Sequence, residues 1–263
     1  MNRIDLKYKE LKEKGEKAMI PFVTAGDPDL ATTIELVYAM EEAGADIIEL
    51  GVPYSDPIAD GVIIQESSQR ALKGGATISK IMETVKVIRK KTQVPLVYLV
   101  YYNSVFKYGI EKFIKECSEA GVDGVIIPDL PLEERKDALE VCDKYEVRLI
   151  PLIAPTSHER IKNIVENASG FIYCVSVNGV TGVRSEIDTN VEEYMKTVSL
   201  CTSIPKALGF GISSAEMANK LKDYSDGIII GSAVVKRVAE GKTKEEKVDS
   251  VKKFVAEVKA VLR

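Results

Sequence analysis

The sequence predicts an α/β fold in which eight strand–helix units close into one parallel barrel. Three observations predict it. Short β-rich apolar runs recur eight times, separated by longer segments of helical period. The strand runs are nearly continuous in apolar residues, as expected of strands covered on both faces. The chain has 263 residues, and eight β/α units fill a domain of ~250 residues when they close on themselves.

Taken in order, Ile4–Lys14 reads as an extra helix ahead of the barrel. The first strand is Met19–Thr24, and Leu30, Ile34, Val37 and Met40 then keep a 3–4 spacing. Asp27-Pro28 offers that helix an N-cap with proline at its first position. The second strand is Asp46–Leu50; Ile81, Val85 and Ile88 mark the helix before the third, Pro95–Tyr101. Ile110, Phe113, Ile114 and Cys117 lead to the fourth strand, Gly124–Ile127. Ala138, Val141, Cys142 and Tyr145 lead to the fifth, Arg148–Ile153. The last three strands are Phe171–Ser176, Pro205–Gly209 and Gly227–Ile230. A closing helix carries Val248, Val251, Phe254, Val255, Val258 and Val261 on one stripe, with Lys and Glu opposite. Gly44, Gly121 and Gly170 follow helical segments, where a left-handed residue ends a helix. The whole, residues 1–263, reads as a single TIM (β/α)8 barrel domain with an extra N-terminal helix and short extra helices; an open doubly wound sheet is the alternative.

Composition narrows the function classes. Hydrophobic residues are 45% and charged residues 29%, which is globular. A net charge of −4 argues against a nucleic-acid surface. No apolar run approaches the ~18 residues of a membrane span, and the start is no signal peptide. Cys117, Cys142, Cys174 and Cys201 are widely spaced, and His158 is the one histidine, so a structural zinc site is not expected. The expected compartment is the cytoplasm, with reduced thiols.

In such a barrel, chemistry sits at the C-terminal strand ends, and the chain departs from its own pattern there. In Asp46-Ile47-Ile48-Glu49-Leu50-Gly51, Ile48 and Leu50 suit the helix-covered face, so Glu49 points into the barrel mouth, where desolvation raises a carboxyl pKa. A structural ion pair is the other reading. The following loop, Gly51–Gly61, is long for a βα loop and adds Asp56 and Asp60, either as turn residues or as partners of Glu49. Gly209-Phe210-Gly211-Ile212-Ser213-Ser214 and Gly231-Ser232-Ala233 follow strands seven and eight, the usual phosphate site of the fold. A further long loop, Val177–Asn190, is either a lid or an insertion. Tyr101, Tyr102 and Tyr173 are core residues or pocket walls. Strand six carries no Lys for a Schiff base, and Lys206 lies at the wrong end of strand seven. Metal-free acid/base chemistry by carboxyl groups on a phosphorylated substrate remains.

The run Ile48-Glu49-Leu50-Gly51-Val52-Pro53-Tyr54-Ser55-Asp56-Pro57-Ile58-Ala59-Asp60-Gly61 closely resembles the signature of the tryptophan synthase alpha subunit family. Pro21–Pro28, Pro128–Pro131, Gly179-Val180-Thr181-Gly182, Gly209–Ser213 and Gly231–Ala233 resemble that family in the same order. The resemblance implies retro-aldol cleavage of indole-3-glycerol phosphate to indole and glyceraldehyde 3-phosphate. It implies Glu49 as general acid/base, Asp60 as acceptor of the indole N–H and Tyr173 in a supporting role. Phe22, Tyr102, Ile153 and Phe210 would contact the indole, and Thr181 would meet Asp60 when the long loop closes. Gly182, Gly211, Ser213, Gly231 and Ser232 would hold the phosphate. Val177 stands where some members carry arginine. The resemblance also implies a beta subunit in an αββα heterotetramer, with no cofactor in this chain and pyridoxal phosphate only in the partner. A sugar-phosphate epimerase type of barrel, or a non-catalytic activating subunit, would be the alternatives.

Overall fold

The computed structural model describes residues 2–175, 191–209 and 211–263, save the side chains of His158 and Glu159. Its strands are β1 (Ala18–Thr24), β2 (Ile48–Gly51), β3 (Leu96–Leu99), β4 (Gly124–Ile126), β5 (Arg148–Ile150), β6 (Leu152–Ile153), β7 (Ile172–Val175), β8 (Lys206–Gly209) and β9 (Gly227–Ile230). Every pairing is parallel, in the order β5-β4-β3-β2-β1-β9-β8-β7-β6. First and last strands meet: Ala18 pairs with Gly227 and Pro21 with Ile230. The two ends of this order, β5 and β6, are consecutive pieces of chain separated by Pro151 alone. The expected fifth strand, Arg148–Ile153, is therefore split. Proline has no N–H for a ladder, although its carbonyl still accepts the Tyr173 N–H at 2.9 Å. The result is a nearly closed barrel of eight staves, one of them broken.

Alternation along the strands makes two cores. Ile48, Leu50, Leu96, Tyr98, Val125, Leu208 and Ile228 face outward, under the helices. Ile47, Val97, Ile126, Ile150, Tyr173, Ala207 and Ile229 fill the inside. Helix α1 (Arg3–Lys14) adds Ile4, Tyr8 and Leu11 to the inner set and so plugs the barrel. It is capped by the Asn2 side chain, which accepts the Ile4 N–H at 2.9 Å, and by Gly15 at φ +70°. Two strand glycines let the plug press close. A Cβ at Gly227 would lie 2.9 Å from Ala18 Cβ and 3.2 Å from the Tyr8 hydroxyl, and one at Gly124 would lie 3.1 Å from Ile4 Cδ1.

Buried charges fix the ends of this plug. Asp123 takes Arg3 and Arg89, each at 2.8 Å, together with the Leu96 N–H at 2.9 Å. Lys259, on the final helix α12 (Lys244–Leu262), reaches Asp46 at 3.0 Å and Glu16 at 2.9 Å.

The remaining helices needed below are α2 (Leu30–Glu42), α3 (Val62–Lys73), α5 (Tyr102–Tyr108), α10 (Ala215–Leu221) and α11 (Ser232–Glu240). The cap of α2 differs from expectation. Asp29, not Asp27, accepts the Thr32 N–H at 2.7 Å, because only Asp29 stands three residues before that amide. Asp27 is buried and takes both Nε and Nη2 of Arg70 at 2.8 Å. Gly44, Gly121 and Gly170 do adopt positive φ, at +98°, +91° and +76°. Among the described residues no helix is long and apolar enough to cross a membrane.

Ile4 is fully buried in the inner core. Ile4→Ala should lower the unfolding free energy by ~2–5 kcal/mol in a denaturant titration, as for other large-to-small core changes; a loss below ~1 kcal/mol would show that the plug does not carry the base of the barrel.

Candidate active site

The second strand alternates as its residues demand. Ile48 and Leu50 meet the helix layer and Ile47 the inner core, so Glu49 is left facing inward near the C-terminal strand ends. Its neighbours in register are Phe22 on β1 and Val97 on β3. Glu49 is 1% exposed, and neither carboxyl oxygen has a hydrogen-bond partner among the described residues. Burial pushes its pKa up, and the nearby Asp60 charge adds to the effect, bringing it to about 8.

Asp60 arrives on the loop between β2 and α3. Its carbonyl accepts Nε2 of Gln65 at 2.7 Å. Its carboxyl group is half-buried, so desolvation raises its pKa, opposed by a hydrogen bond from Tyr101. Tyr173 comes from β7, across the barrel. Burial raises its pKa, and the charges of Glu49 and Asp60 raise it further. Two strand-end glycines make room for rings. A Cβ at Gly209 would lie 2.7 Å from the Tyr173 hydroxyl, and one at Gly51 would collide with Phe22 Cζ.

These groups open onto one pocket. Glu49, Asp60 and Tyr173 line it, with an apolar wall of Phe22, Ile64, Leu99 and Ile229. Gly211, Ile212, Ser213, Gly231, Ser232 and Ala233, after β8 and β9, line it as well. Helix α11 starts there at Ser232, and Gly231 ahead of it has no side chain to cap the first amides. Its positive dipole end is thus directed at the pocket region rather than satisfied by a cap. The start of α10 differs, since Ser214 accepts the Met217 N–H at 3.2 Å. Among the described residues no three His, Cys, Asp or Glu side chains gather as a metal site.

Of the residues singled out in the sequence, Glu49, Asp60, Tyr173, Phe22, Gly211, Ser213, Gly231 and Ser232 share this pocket. Two others do not reach it. Ile153 faces the helix layer, because alternation turns Ile150 and Leu152 inward and Ile153 outward; its carbonyl accepts the Tyr194 hydroxyl at 2.7 Å. Tyr102 begins α5, gives its N–H to Asp129 Oδ1 at 2.8 Å and packs on Phe106, while its neighbour Tyr101 turns toward the loop that bears Asp60. Thr181, Gly182, Phe210 and the loop 177–190 lie outside the described residues. Leu99 and Ile64 were missed. Leu99 was readable, since it shares the face of Val97; Ile64 depends on the path of the preceding loop.

Fold and pocket together place the chain among TIM barrels that gather carboxyl groups at the C-terminal mouth. Residues 8–263 match the family model for the tryptophan synthase alpha chain. The alpha chain of Thermoanaerobacter sp. (strain X514) is 64% identical over 262 residues, covering 100% of both chains. That of Clostridium kluyveri is 59% identical over the same span. Among solved structures, tryptophan synthase of Mycobacterium tuberculosis superposes with a TM-score of 0.91 at 32% identity, covering 100% of this chain and 98% of that one. The alpha chain of Legionella pneumophila also gives 0.91, at 30% identity, covering 100% and 97%. The chain belongs to the tryptophan synthase alpha chain family.

Glu49 folds as the acid and unfolds to a carboxyl with an ordinary pKa near 4.5. The folded state therefore binds the extra proton between pH 4.5 and 8, and stability falls as pH rises through that window. Glu49→Gln cannot ionise. Its unfolding free energy relative to wild type should climb across that window, by at most ~1.4 kcal/mol per pH unit, and then level off. A difference independent of pH would contradict the raised pKa.

Proposed function

We propose that the pocket cleaves indole-3-glycerol phosphate to indole and glyceraldehyde 3-phosphate, a retro-aldol step of tryptophan biosynthesis, by metal-free acid/base catalysis. The observation that carries the reading is Glu49: a carboxyl group held protonated to about pH 8, without a partner among the described residues, beside an apolar wall. Indole is flat and apolar, and Phe22, Ile64, Leu99 and Ile229 suit it. Protonation of ring carbon C3 by Glu49 converts the ring to an indolenine cation. The Asp60 carboxylate accepts the ring N–H and balances that positive charge. Loss of the proton from the glycerol hydroxyl next to the ring, to the Glu49 carboxylate just formed, lets the C3–C bond break. The bond's electron pair returns to the ring to give indole, and the hydroxyl carbon becomes the aldehyde. Tyr173 stands beside both carboxyl groups and supports their placement. The phosphate fits the far end, on the main chain of Gly211, Gly231 and Ser232 with Ser213, and anchors the scissile bond.

Family membership supports a second part of the reading, association with a beta subunit in an αββα complex, with pyridoxal phosphate confined to that partner. Ile58, on the loop after β2, is 76% exposed and Phe106, on α5, is 65% exposed, a suitable pair of apolar contacts beside the pocket mouth. A cytoplasmic location accords with this assignment.

Incubation with indole-3-glycerol phosphate should release indole, and a chelator such as EDTA should leave the rate unchanged; a chelator-sensitive rate would overturn the metal-free part. Glu49→Gln should lower turnover by at least ~10²-fold while substrate still binds, as for loss of a positioned acid. Because the acid form of Glu49 donates the proton, kcat/KM of the wild type should fall about tenfold per pH unit above about pH 8. A profile flat from pH 7 to 10 would assign the proton to another group.

A Cβ at Gly231 would meet Phe22 no closer than 3.6 Å, so a side chain fits there without a clash. Gly231→Asp should fold and should raise KM at least ~10-fold by placing a negative charge at the anion end. An unchanged KM would remove the phosphate from that end of the pocket.

A further inference from the structure

The Tyr101 hydroxyl takes no part in the steps above, yet it is bonded to the loop that bears Asp60. Tyr101 immediately precedes α5 and is 2% exposed. Its Oη accepts the Ala59 N–H at 3.0 Å. Its ring stacks on Tyr54, with centroids 5.0 Å apart and planes 25° from parallel. Tyr54 Oη in turn accepts Nδ2 of Asn103 at 3.0 Å. Tyr54 and Ala59 belong to the loop after β2, and Tyr101 and Asn103 to the segment after β3. Three contacts therefore stitch these two segments together, and the innermost falls on the residue next to Asp60.

A phenol oxygen that has accepted one N–H still has its own proton to give. The acceptor next along the chain is the Asp60 carboxyl group, whose charged form the nearby Tyr101 hydroxyl favours. The other titratable groups that bear on Asp60 and Tyr101 are Glu49 from β2, Tyr173 from β7 and Asp129 ahead of α7 (Arg135–Lys144). All four are acids. None can stabilise a negative charge on Asp60 by being positive, so donation by a neutral hydroxyl is the means that remains among these groups.

We infer that Tyr101 is the positioning residue of Asp60: it fixes the Ala59–Asp60 main chain at the pocket and gives its hydroxyl proton to the Asp60 carboxylate, keeping that group available as an acceptor. The inference rests on the proposed cleavage reaction, in which Asp60 acts as an anion. The ring of Tyr101 serves packing and the stack on Tyr54; the hydroxyl alone serves Asp60. A phenylalanine would thus preserve the fold and lose the function of the hydroxyl.

The test is Tyr101→Phe in the full chain, read by indole release across pH. The expected result is a kcat lowered ~10-fold with KM changed less than ~3-fold, and an acid limb moved up by about one pH unit, since losing a donor disfavours the charged carboxylate. Placing 3,5-difluorotyrosine at position 101 keeps the shape and strengthens the donor, so it should move the acid limb down; this variant decides the matter even if Tyr101→Phe fails to fold. Tyr54→Phe should behave as wild type, because it keeps the stack. An acid limb that moves in neither the phenylalanine nor the difluorotyrosine variant, or a Tyr101→Phe effect confined to KM, would overturn the inference. Asp60→Asn in the same assay separates the two levels. If it stays active, the cleavage reading itself fails; if it is inactive while both Tyr101 variants keep the wild-type profile, only the positioning role fails.

Discussion

Glu49 is almost wholly buried and its oxygens have no partner among the described residues, so its charged form would stand in the barrel with nothing to compensate it. Burying an unpaired carboxylate is costly enough that the group keeps its proton instead. The rest of the structure is arranged around that constraint. The alternation of β2 aims the side chain inward, apolar residues from β1, β3 and α3 keep its surroundings dry, and the inner core with α1 fills the barrel below it. A second acid, Asp60, is brought close enough to push the proton affinity of Glu49 further up. Two carboxyl groups in unequal surroundings can then hold opposite protonation states at one pH, as a donor and an anion must.

The barrel base and the pocket treat charge in opposite ways. At the base, the buried acids among the described residues are matched: Asp123 by two arginines and an amide, and Asp46 by Lys259 and the Met19 N–H. Such pairs fasten α1 and α12 to the strand starts, and removing one partner would leave a buried charge exposed to its full desolvation penalty. In the pocket, Glu49 is left unmatched among the described residues, and Gly231 leaves the first amides of α11 without a side-chain cap. Unsatisfied groups of opposite preference, an acid and a set of amides lining one pocket, are what a polar substrate with an anionic tail can complete.

Much of this was legible in the sequence because it depends on period and position. The apolar runs gave the staves, and the contrast of Glu49 with Ile48 and Leu50 gave the inward carboxyl group. Breaks in the ladder were less legible. Pro151 splits the fifth strand, and a reading by composition cannot tell whether a proline interrupts a run or merely decorates it. The same break lies beside Ile153, which faces the helices although its neighbour Leu152 faces inward. Adjacent identical residues were also ambiguous. Tyr101 and Tyr102 differ by one position, and only the start of α5 decides which ring turns toward Asp60. Asp27 and Asp29 posed the same problem at α2, where the spacing to the Thr32 amide decides the cap. In each pair the chemistry was visible and the local geometry that selects between neighbours was not.

The central claim is that Glu49 carries a proton at neutral pH inside the folded chain. The most direct measurement is carbon-13 NMR of carboxyl-labelled glutamate, with the Glu49 resonance assigned by its loss in Glu49→Gln and followed from pH 4 to 10. The account predicts a midpoint of about 8 for that resonance, well apart from the surface glutamates. A midpoint near the ordinary glutamate value of 4.5 would contradict it, since the group would then be an anion at the pH where it must donate.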